Sequence, residues 1–307
     1  MYKISVSTHT DIGDTKKTNQ DSILEKTGTF NRHNVGLFIV ADGCGGLQYG
    51  EEISKLITSH FSNVWDNTLG AFFSGKRVDE KGLDRFLDDM LNEVNQKAYS
   101  FGAQVGGRVG STISLLVTYD KRYILKNIGD SRIYLKRGKK VLQLTEDQSL
   151  VADLVRNGEL TKEEAKTYKK KNVLTMCIGV FEELQIFSAS GKIKNKDTFI
   201  LCCDGLHNHV SEKAMMLISS DKKIPFEEKA FVLRDNISTG AANDNVSAIV
   251  ARFDMGNKRT LDMIVIAIVL VLLAVIFRNV IINWLHEVFC TIGCETCREM
   301  LSVPKMN

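Results

Sequence analysis

Short apolar runs and longer segments with helical spacing alternate along most of the chain. Runs rich in β-branched and aromatic residues predict strands, at Ile4–Thr8, Val35–Ala41, Thr112–Thr118, Tyr123–Ile128, Ser131–Lys136, Phe199–Cys203 and Val246–Phe253. Apolar residues at helical spacing predict helices, at Glu51–Val64, Gly82–Phe101, Gln148–Asn157, Glu212–Ser219 and Pro225–Asn236. Three of the strands follow one another as hairpins, which favours an α+β fold with antiparallel sheets and helices packed outside them.

One segment near the C-terminus is apolar on every side. Residues Met263–Phe277 carry no charged or polar side chain, and a helix over Met263–Trp284 would be ~33 Å long, enough to cross a ~30 Å hydrocarbon core. Arg278 can extend its charge toward the membrane surface, and Trp284 suits the interface. A buried core helix is the alternative, but the segment shows no amphipathic stripe. We therefore predict a transmembrane helix at 263–284.

This helix divides the chain into a globular domain at 1–254, a juxtamembrane linker at 255–262, the membrane span and a tail at 285–307. The N-terminus has no apolar signal-peptide core, and Lys258-Arg259 precede the span, so we expect a single-pass protein with a cytoplasmic domain. The tail contains Cys290, Cys294 and Cys297. These thiols allow an intermolecular disulfide, a zinc cluster with His286, or no bond at all.

Composition narrows the function classes only slightly. The 307 residues carry a net charge of +3, which is too small to indicate a nucleic-acid partner. Seven cysteines in so long a chain do not form a disulfide framework. Cys44, Cys177, Cys202 and Cys203 lie in apolar or Gly-rich sequence, and we interpret them as reduced thiols in or near the core. The charged segment 157–173 is expected to be exposed.

Aspartates stand repeatedly at the ends of predicted strands. Asp42, Asp130 and Asp204 each follow an apolar run, Asp244 precedes one, and Asp21 closes the stretch TNQD. A single aspartate in such a place is usually a turn or cap residue. A repeated carboxylate behind a buried strand costs free energy unless it is paired or binds a metal. The set therefore indicates a metal site.

The ligand chemistry points to hard divalent cations. Carboxylate and carbonyl oxygens suit Mg²⁺ or Mn²⁺, and two such ions can lower the pKa of a bridging water and bind a phosphoryl oxygen. No Gly-Lys-Ser/Thr follows the glycine-rich stretch ADGCGG, and no Ser-His-Asp or C-x₅-R arrangement is present. The sequence therefore argues against a P-loop and against a cysteine phosphatase.

The order of the motifs resembles that of the bacterial PPM/PP2C family of metal-dependent serine/threonine phosphatases. The matching stretches run in family order over about residues 1–254: TDIGDTKKTNQDS, VADGCGGLQYGEEIS, GSTISLLV, NIGDSRIYL, QLTEDQSLV, NVLTMCIG, ILCCDGL and NDNVSAIVARF. The resemblance implies a four-layer α-β-β-α sandwich of two antiparallel sheets flanked by helices, with two metal ions at one end.

The resemblance also implies roles for individual residues. Asp42 looks like the carboxylate that bridges the two ions, and Gly43 would offer its backbone carbonyl to one of them. Asp204 and Asp244 resemble the remaining ligands of the first ion. Asp21 resembles the acid that orders metal-bound water.

For two further residues the correspondence with the family is less direct. Asp130 resembles the ligand of a third, weaker ion in bacterial relatives, with a plain turn aspartate as the alternative. Lys16 stands where the family usually has an arginine that holds the substrate phosphate. Lysine keeps the charge but loses the bidentate fork, so we expect weaker phosphate binding.

Other departures fall close to the implied metals. Cys44 occupies the position of a histidine that some relatives use as a general acid, and it is either a redox-sensitive thiol or a plain turn residue. Gln20, Gln148 and the pair His207-Asn208 also differ from common family residues. None of these changes removes a carboxylate of the implied metal core.

We therefore expect a membrane-tethered enzyme that hydrolyses phosphoserine and phosphothreonine on proteins without a phosphoenzyme. Its partners would be phosphoproteins, which by family habit are substrates of a serine/threonine kinase, and the membrane through residues 263–284, with no nucleic acid. A pseudophosphatase that only binds phosphoproteins and a hydrolase of small phosphate compounds are the alternatives.

Overall fold

The computed structural model describes residues 2–44, 47, 49–255 and 258–292, and the chain forms two compact units, Met1–Met255 and Gly256–Asn307. The strands are β1 (Tyr2–Asp11), β2 (Asp21–Phe30), β3 (His33–Asp42), β4 (Ile113–Tyr119), β5 (Arg122–Ile128), β6 (Arg132–Arg137), β7 (Lys140–Gln143), β8 (Phe187–Lys192), β9 (Thr198–Cys202) and β10 (Val246–Met255). The helices of the first unit are α1 (Gly50–Asn67), α2 (Glu80–Val105), α3 (Leu150–Arg156), α4 (Lys162–Thr167), α5 (Asp204–His207), α6 (Glu212–Ser220) and α7 (Lys229–Asp235).

The strands of the first unit form two antiparallel five-stranded sheets. One has the order β1-β10-β9-β6-β7 and the other β2-β3-β4-β5-β8. Residues alternate between the two faces of a strand, and β3 shows the consequence. Leu37 and Ile39 pack in a core with α1 and α2, whereas Phe38 and Val40 pack between the two sheets.

A third core lies on the outer face of the first sheet. It joins β9 and β10 to α6 and α7 through residues such as Ile200, Met215 and Leu233. Helices therefore cover the outside of both sheets, and the predicted four-layer sandwich of antiparallel sheets is confirmed. Because both faces of β3, β4 and β9 are buried, these strands have the nearly continuous apolar sequences from which they were predicted.

The sequence prediction was wrong about three edge strands and one helix. It missed β2, β7 and β8, whose side chains are largely exposed or half-buried and so lack a clear apolar pattern. It also placed one continuous helix at 225–236, where a 3₁₀ turn at Phe226–Glu228 precedes α7. The segment 157–173 is mostly exposed as expected, and it contains α4, which begins with a capping box of Thr161 and Glu164.

The second unit contains one long helix, α8 (Lys258–Ile292). Residues Ile266–Val288 are long and apolar enough to cross a membrane, and none of that stretch is buried in the protein. Helix α8 thus begins before the predicted span 263–284 and continues beyond it. The thiols of Cys290, Cys294 and Cys297 lie outside the residues whose side chains the structure describes.

Candidate metal centre

Two aspartates face each other across the β2–β3 ladder. Asp21 is the first residue of β2 and Asp42 the last of β3, and the two are direct partners in the antiparallel register. Like charges directly opposite each other destabilise a sheet. Asp42 is fixed from its other side by Thr112, whose Oγ1 accepts a hydrogen bond from the Asp42 backbone N–H at 3.1 Å.

The neighbouring sheet brings further carboxylates to the same place. Asp204 begins α5 directly after β9, and Asp244 precedes β10, the strand that pairs with β9. Gly205 permits this close approach, because a Cβ there would lie 2.0 Å from the backbone oxygen of Asn245. Asp130 lies in the turn between β5 and β6. The structure therefore brings together the five aspartates that the sequence analysis singled out.

The pKa values show how closely the carboxylates crowd one another. Burial and then the charges of Asp21 and Asp204 raise the pKa of Asp42 well above its ordinary value. Burial raises the pKa of Asp21 to about 6 and that of Asp130 to about 8, with the charge of Asp204 adding to both. The pKa of Asp204 is raised by burial and by Asp244.

This arrangement suits a hard cation. Within the described part of the chain, neither carboxylate oxygen of buried Asp21 has a hydrogen-bond partner of normal geometry, although the nearby Ser247 hydroxyl and Cys203 thiol partly offset the rise in its pKa. Asp21, Asp42 and Cys203 each offer a ligand atom within 4.8 Å of the others. Buried acids without partners cost free energy that a divalent ion would recover, so the residues fit the expected metal centre.

The loop at 12–20 carries Lys16 to the edge of the cluster. Lys16 Nζ lies 2.6 Å from Asp244 Oδ1. The loop can pack this closely because Gly13 has a φ of +77° and its missing Cβ would lie 2.1 Å from the Asp244 backbone oxygen. Asn245 holds the loop, since its Nδ2 donates to the carbonyls of Ile12 and Thr18 at 2.8 and 3.0 Å.

Gly43 has a steric reason to be glycine. A Cβ at this position would lie 2.5 Å from the backbone of Gly50 and 2.7 Å from the Gln20 carbonyl. The same carbonyl accepts a hydrogen bond from the Gly43 N–H at 3.1 Å. The start of α1 and the end of the 12–20 loop can therefore meet behind Asp42 only if residue 43 lacks a side chain.

Two residues that depart from the family pattern hold the turn of Asp130. Gln148 accepts a hydrogen bond from the Gly129 N–H at 2.9 Å and donates to the Gln185 carbonyl at 2.6 Å. His207 Nε2 lies 3.0 Å from the Asp130 carbonyl, so the tautomer with hydrogen on Nε2 donates to it. These side chains fix the turn while the Asp130 carboxylate faces the cleft.

The cysteines near the centre are free thiols, as predicted for Cys44, Cys177, Cys202 and Cys203. Cys44 and Cys177 both line the cleft and interact with each other, and a hydrogen bond between them raises the pKa of Cys44 and lowers that of Cys177. Cys44 therefore contacts a second thiol that the sequence analysis placed only in or near the core.

The carboxylates form the floor of an open cleft of about 410 Å³. Lys16 and Arg108 contribute positive charge to its walls, and Leu47, Val180 and Phe181 contribute apolar surface. This volume is larger than a phosphate group requires, so the cleft can hold neighbouring parts of a substrate as well.

Sequence reasoning missed several residues that build the site. Asn245 ties two distant segments together, since it also accepts a hydrogen bond from the Gln20 N–H at 2.8 Å. Arg132 pairs with Asp147 at 2.6 to 3.1 Å beside the Asp130 turn. Neither Asn245 nor Arg132 was singled out in the sequence analysis. Asn245 did offer a signal, since it is a polar residue between Asp244 and a predicted apolar strand.

Comparison with known proteins gives a consistent result. The family model for protein phosphatase 2C matches residues 13–235. The chain is 31% identical over 252 residues to the serine/threonine phosphatase stp of Listeria monocytogenes serotype 4b (strain F2365), with 81% of this chain and 96% of that relative covered.

Solved structures are similar as well. The serine/threonine phosphatase of S. agalactiae is 26% identical with a TM-score of 0.72, and the match covers 81% of this chain and 99% of that one. The catalytic domain of the serine threonine protein phosphatase PstP in complex with two manganese ions is 25% identical with a TM-score of 0.68, covering 83% of this chain and all of that one.

Proposed function

Because the chain belongs to the protein phosphatase 2C family, we propose that its carboxylate cleft hydrolyses phosphoserine and phosphothreonine on proteins with the help of two Mg²⁺ or Mn²⁺ ions. The observation that carries the proposal is the set of crowded aspartates at the floor of an open cleft, with both oxygens of Asp21 free of hydrogen-bond partners of normal geometry in the described structure. A domain that only bound phosphoproteins would have no need to maintain this repulsion.

The proposed metal ligands are the residues nearest the crowding. Asp42 would bridge the two ions, Asp204 and Asp244 would complete the first site, and Gly43 would contribute its backbone carbonyl. Asp130 would hold a third, weaker ion, because its carboxylate lines the cleft with the others. At such a centre divalent ions supply an activated water nucleophile and positive charge for the phosphoryl group.

The chain's own residues bind and orient the reactants. Lys16 Nζ lies at the mouth of the cleft and is half-buried, so it can turn from Asp244 to a substrate phosphate as a point charge. Asp21 lies opposite Asp42 across the β2–β3 ladder, and its buried carboxylate oxygens have no partner of normal geometry among the described residues, so they would orient metal-bound water. Cys44 lines the cleft, and its hydrogen bond with Cys177 and its burial raise its pKa. A thiol with a raised pKa is a weak acid. We therefore assign protonation of the leaving oxygen to water.

We also propose a place in the cell for this activity. Helix α8 would anchor the enzyme in a membrane through residues 263–284, with the catalytic unit on the cytoplasmic side because Lys258-Arg259 precede the apolar stretch. Its substrates would then be phosphoproteins made by a serine/threonine kinase at or near the same membrane.

The test uses the full chain in detergent, stripped of metal and then titrated with Mn²⁺ or Mg²⁺. We expect metal-dependent hydrolysis of p-nitrophenyl phosphate and of a phosphothreonine peptide, and a loss of at least about 100-fold in kcat for Asp204→Asn, because a ligand of the activating ion is removed. Asp89→Asn on the exposed face of α2 is the matched control for charge. Phosphopeptide binding without turnover, equal in wild type and Asp204→Asn, would instead identify a binding module.

A further inference from the structure

The two cations that line the cleft are in different situations. Lys16 already contacts a carboxylate, Asp244, at 2.6 Å. Arg108 also lines the cleft and is exposed, and no carboxylate among the described residues lies within ion-pair distance of it. An arginine without a partner at the wall of an acidic cleft is a binding group for a second anion, because its planar fork matches a carboxylate or a phosphate.

Arg108 is held close to the centre by the chain around it. Helix α2 ends at a left-handed Gly106 with a φ of 69°, and the Gly107 N–H bonds to the Gly102 carbonyl at 3.1 Å. Two residues after Arg108, the Gly110 carbonyl accepts a hydrogen bond from the Cys44 N–H at 2.9 Å. The arginine therefore emerges from fixed backbone next to the turn that follows Asp42.

Arg108, Cys44 and Cys177 line the same cleft. Its charge acts on Cys177, which interacts with Cys44. Lys16, by comparison, contacts Asp244 and acts on Asp204. Lys16 is therefore paired with a carboxylate, whereas Arg108 has no carboxylate partner among the described residues and can contact a bound anion.

An apolar wall continues from this position. The side chains of Leu47 and Val180 meet over Gly110, where an added Cβ would lie 3.1 Å from each. Asn95, buried on α2, fixes the loop behind Val180: it accepts from the Gly179 N–H at 2.8 Å and donates to the Phe181 carbonyl at 2.8 Å. The wall is formed before any substrate binds.

We propose that Arg108, with the wall of Leu47, Val180 and Phe181, forms a subsite that binds an anionic side chain adjacent to the phosphorylated residue of the substrate. The subsite rests on the proposed phosphatase function, since it reads the residue beside the one that reacts. Its ligand is an aspartate or glutamate carboxylate or a second phosphate group, and the wall packs against the stem of that side chain.

The test measures selectivity within each enzyme variant, using the full chain in detergent with saturating Mn²⁺. The substrate peptides contain a phosphothreonine and differ only in the residue directly before or directly after it. That residue is Asp, Asn, Lys or a second phosphothreonine. For wild type we expect kcat/KM to be about 3- to 10-fold higher with Asp than with Asn, as for a well-formed but exposed pair. We expect kcat/KM to decrease in the order second phosphothreonine, Asp, Asn and Lys. The differences should become smaller at high ionic strength.

Variants assign the preference to Arg108. In Arg108→Gln the Asp-to-Asn ratio should fall to within about twofold of unity, and in Arg108→Lys it should be intermediate because the charge stays and the fork is lost. Arg85→Gln is the matched control: it makes the same change about 30 Å away along α2 and should keep the full ratio.

Each outcome bears on the proposal. A preference for a second phosphate alone assigns the ligand to phosphate and supports the subsite. A wild-type enzyme that ignores its neighbours, or a preference that persists in Arg108→Gln, overturns it while leaving the phosphatase function intact. An equal rise in KM for p-nitrophenyl phosphate and all peptides in Arg108→Gln also overturns it, because the arginine would then bind the reacting phosphate. Failure to hydrolyse any of these substrates would instead refute the proposed function.

Discussion

Replacing Asp21 by asparagine should stabilise the metal-free protein. Burial raises the pKa of Asp21 from 3.8 to about 6, so the folded state disfavours the ionised form relative to the unfolded chain. The difference of about two pKa values, at 1.36 kcal/mol each, corresponds to ~3 kcal/mol of lost stability at neutral pH. Asparagine has the same shape without the charge, and therefore removes this loss.

The effect has a definite pH dependence. Below pH 3.8 both the folded and the unfolded chain hold the proton, and Asp21 costs nothing. As the pH rises from 3.8 to 6, the unfolded chain releases its proton first, so the wild type loses stability, and the loss is complete above about pH 6. The advantage of Asp21→Asn should be ~1 kcal/mol at pH 4.5 and ~3 kcal/mol at pH 7.5.

Thermal unfolding in the presence of a chelator measures this directly. For a unit of about this size, 1 kcal/mol shifts Tm by roughly 2–4 °C, so Asp21→Asn should melt about 6–12 °C above wild type at pH 7.5. Saturating Mn²⁺ should narrow this gap, because a nearby divalent cation favours the ionised form of Asp21 in the wild type and so removes part of its cost. Asp89→Asn, on the surface, should change Tm by little. An Asp21→Asn protein that melts at or below wild type in chelator, or with the same gap at pH 4.5, would refute the reasoning.

Three other changes test how the site is built. Gly43→Ala should lower both Tm and metal-dependent turnover, because its methyl group would lie 2.5 Å from the backbone of Gly50; Gly70→Ala, near a side chain rather than backbone, is the comparison. Asn245→Ala removes three hydrogen bonds to the 12–20 loop and should cost ~2–4 kcal/mol in unfolding free energy, with KM raised more than kcat is lowered. Lys16→Arg should lower KM for a phosphopeptide about 2- to 10-fold by restoring the bidentate fork, and an unchanged KM would count against the phosphate role of Lys16.

The interior of the fold could be predicted from sequence, whereas its edges could not. Strands such as β4 and β9 are buried on both faces, so apolar residues fill nearly every position. β2 reads DSILEKTGTF and exposes much of its surface, and its pattern is too polar to identify a strand. Missing β2 had a consequence for the site, because the register of β2 against β3 is what sets Asp21 opposite Asp42.

The site itself divides in the same way. Asp42, Asp130, Asp204 and Asp244 were found because each lies at a predicted strand boundary, where an acid stands out against apolar residues, whereas the role of Asp21 came from the resemblance of its motif to the family. The groups that hold them came only with the structure, because their partners are far away in the chain: Asn245 bonds to residues more than 220 positions earlier. Arg108 follows the C-terminus of a helix and looked like an ordinary loop residue until the fold brought it to the cleft.

The glycines around the centre show how this fold tolerates a cluster of acids. At Gly13, Gly43 and Gly205 an added Cβ would lie 2.0–2.5 Å from backbone atoms of another segment, so distant chain segments meet there at main-chain distance. Close main-chain packing fixes the aspartates by their backbones, and their carboxylates need not find partners within the protein. The centre can therefore keep Asp21 and Asp42 opposed and available to a cation, while the three apolar cores elsewhere supply the stability that the opposed charges remove.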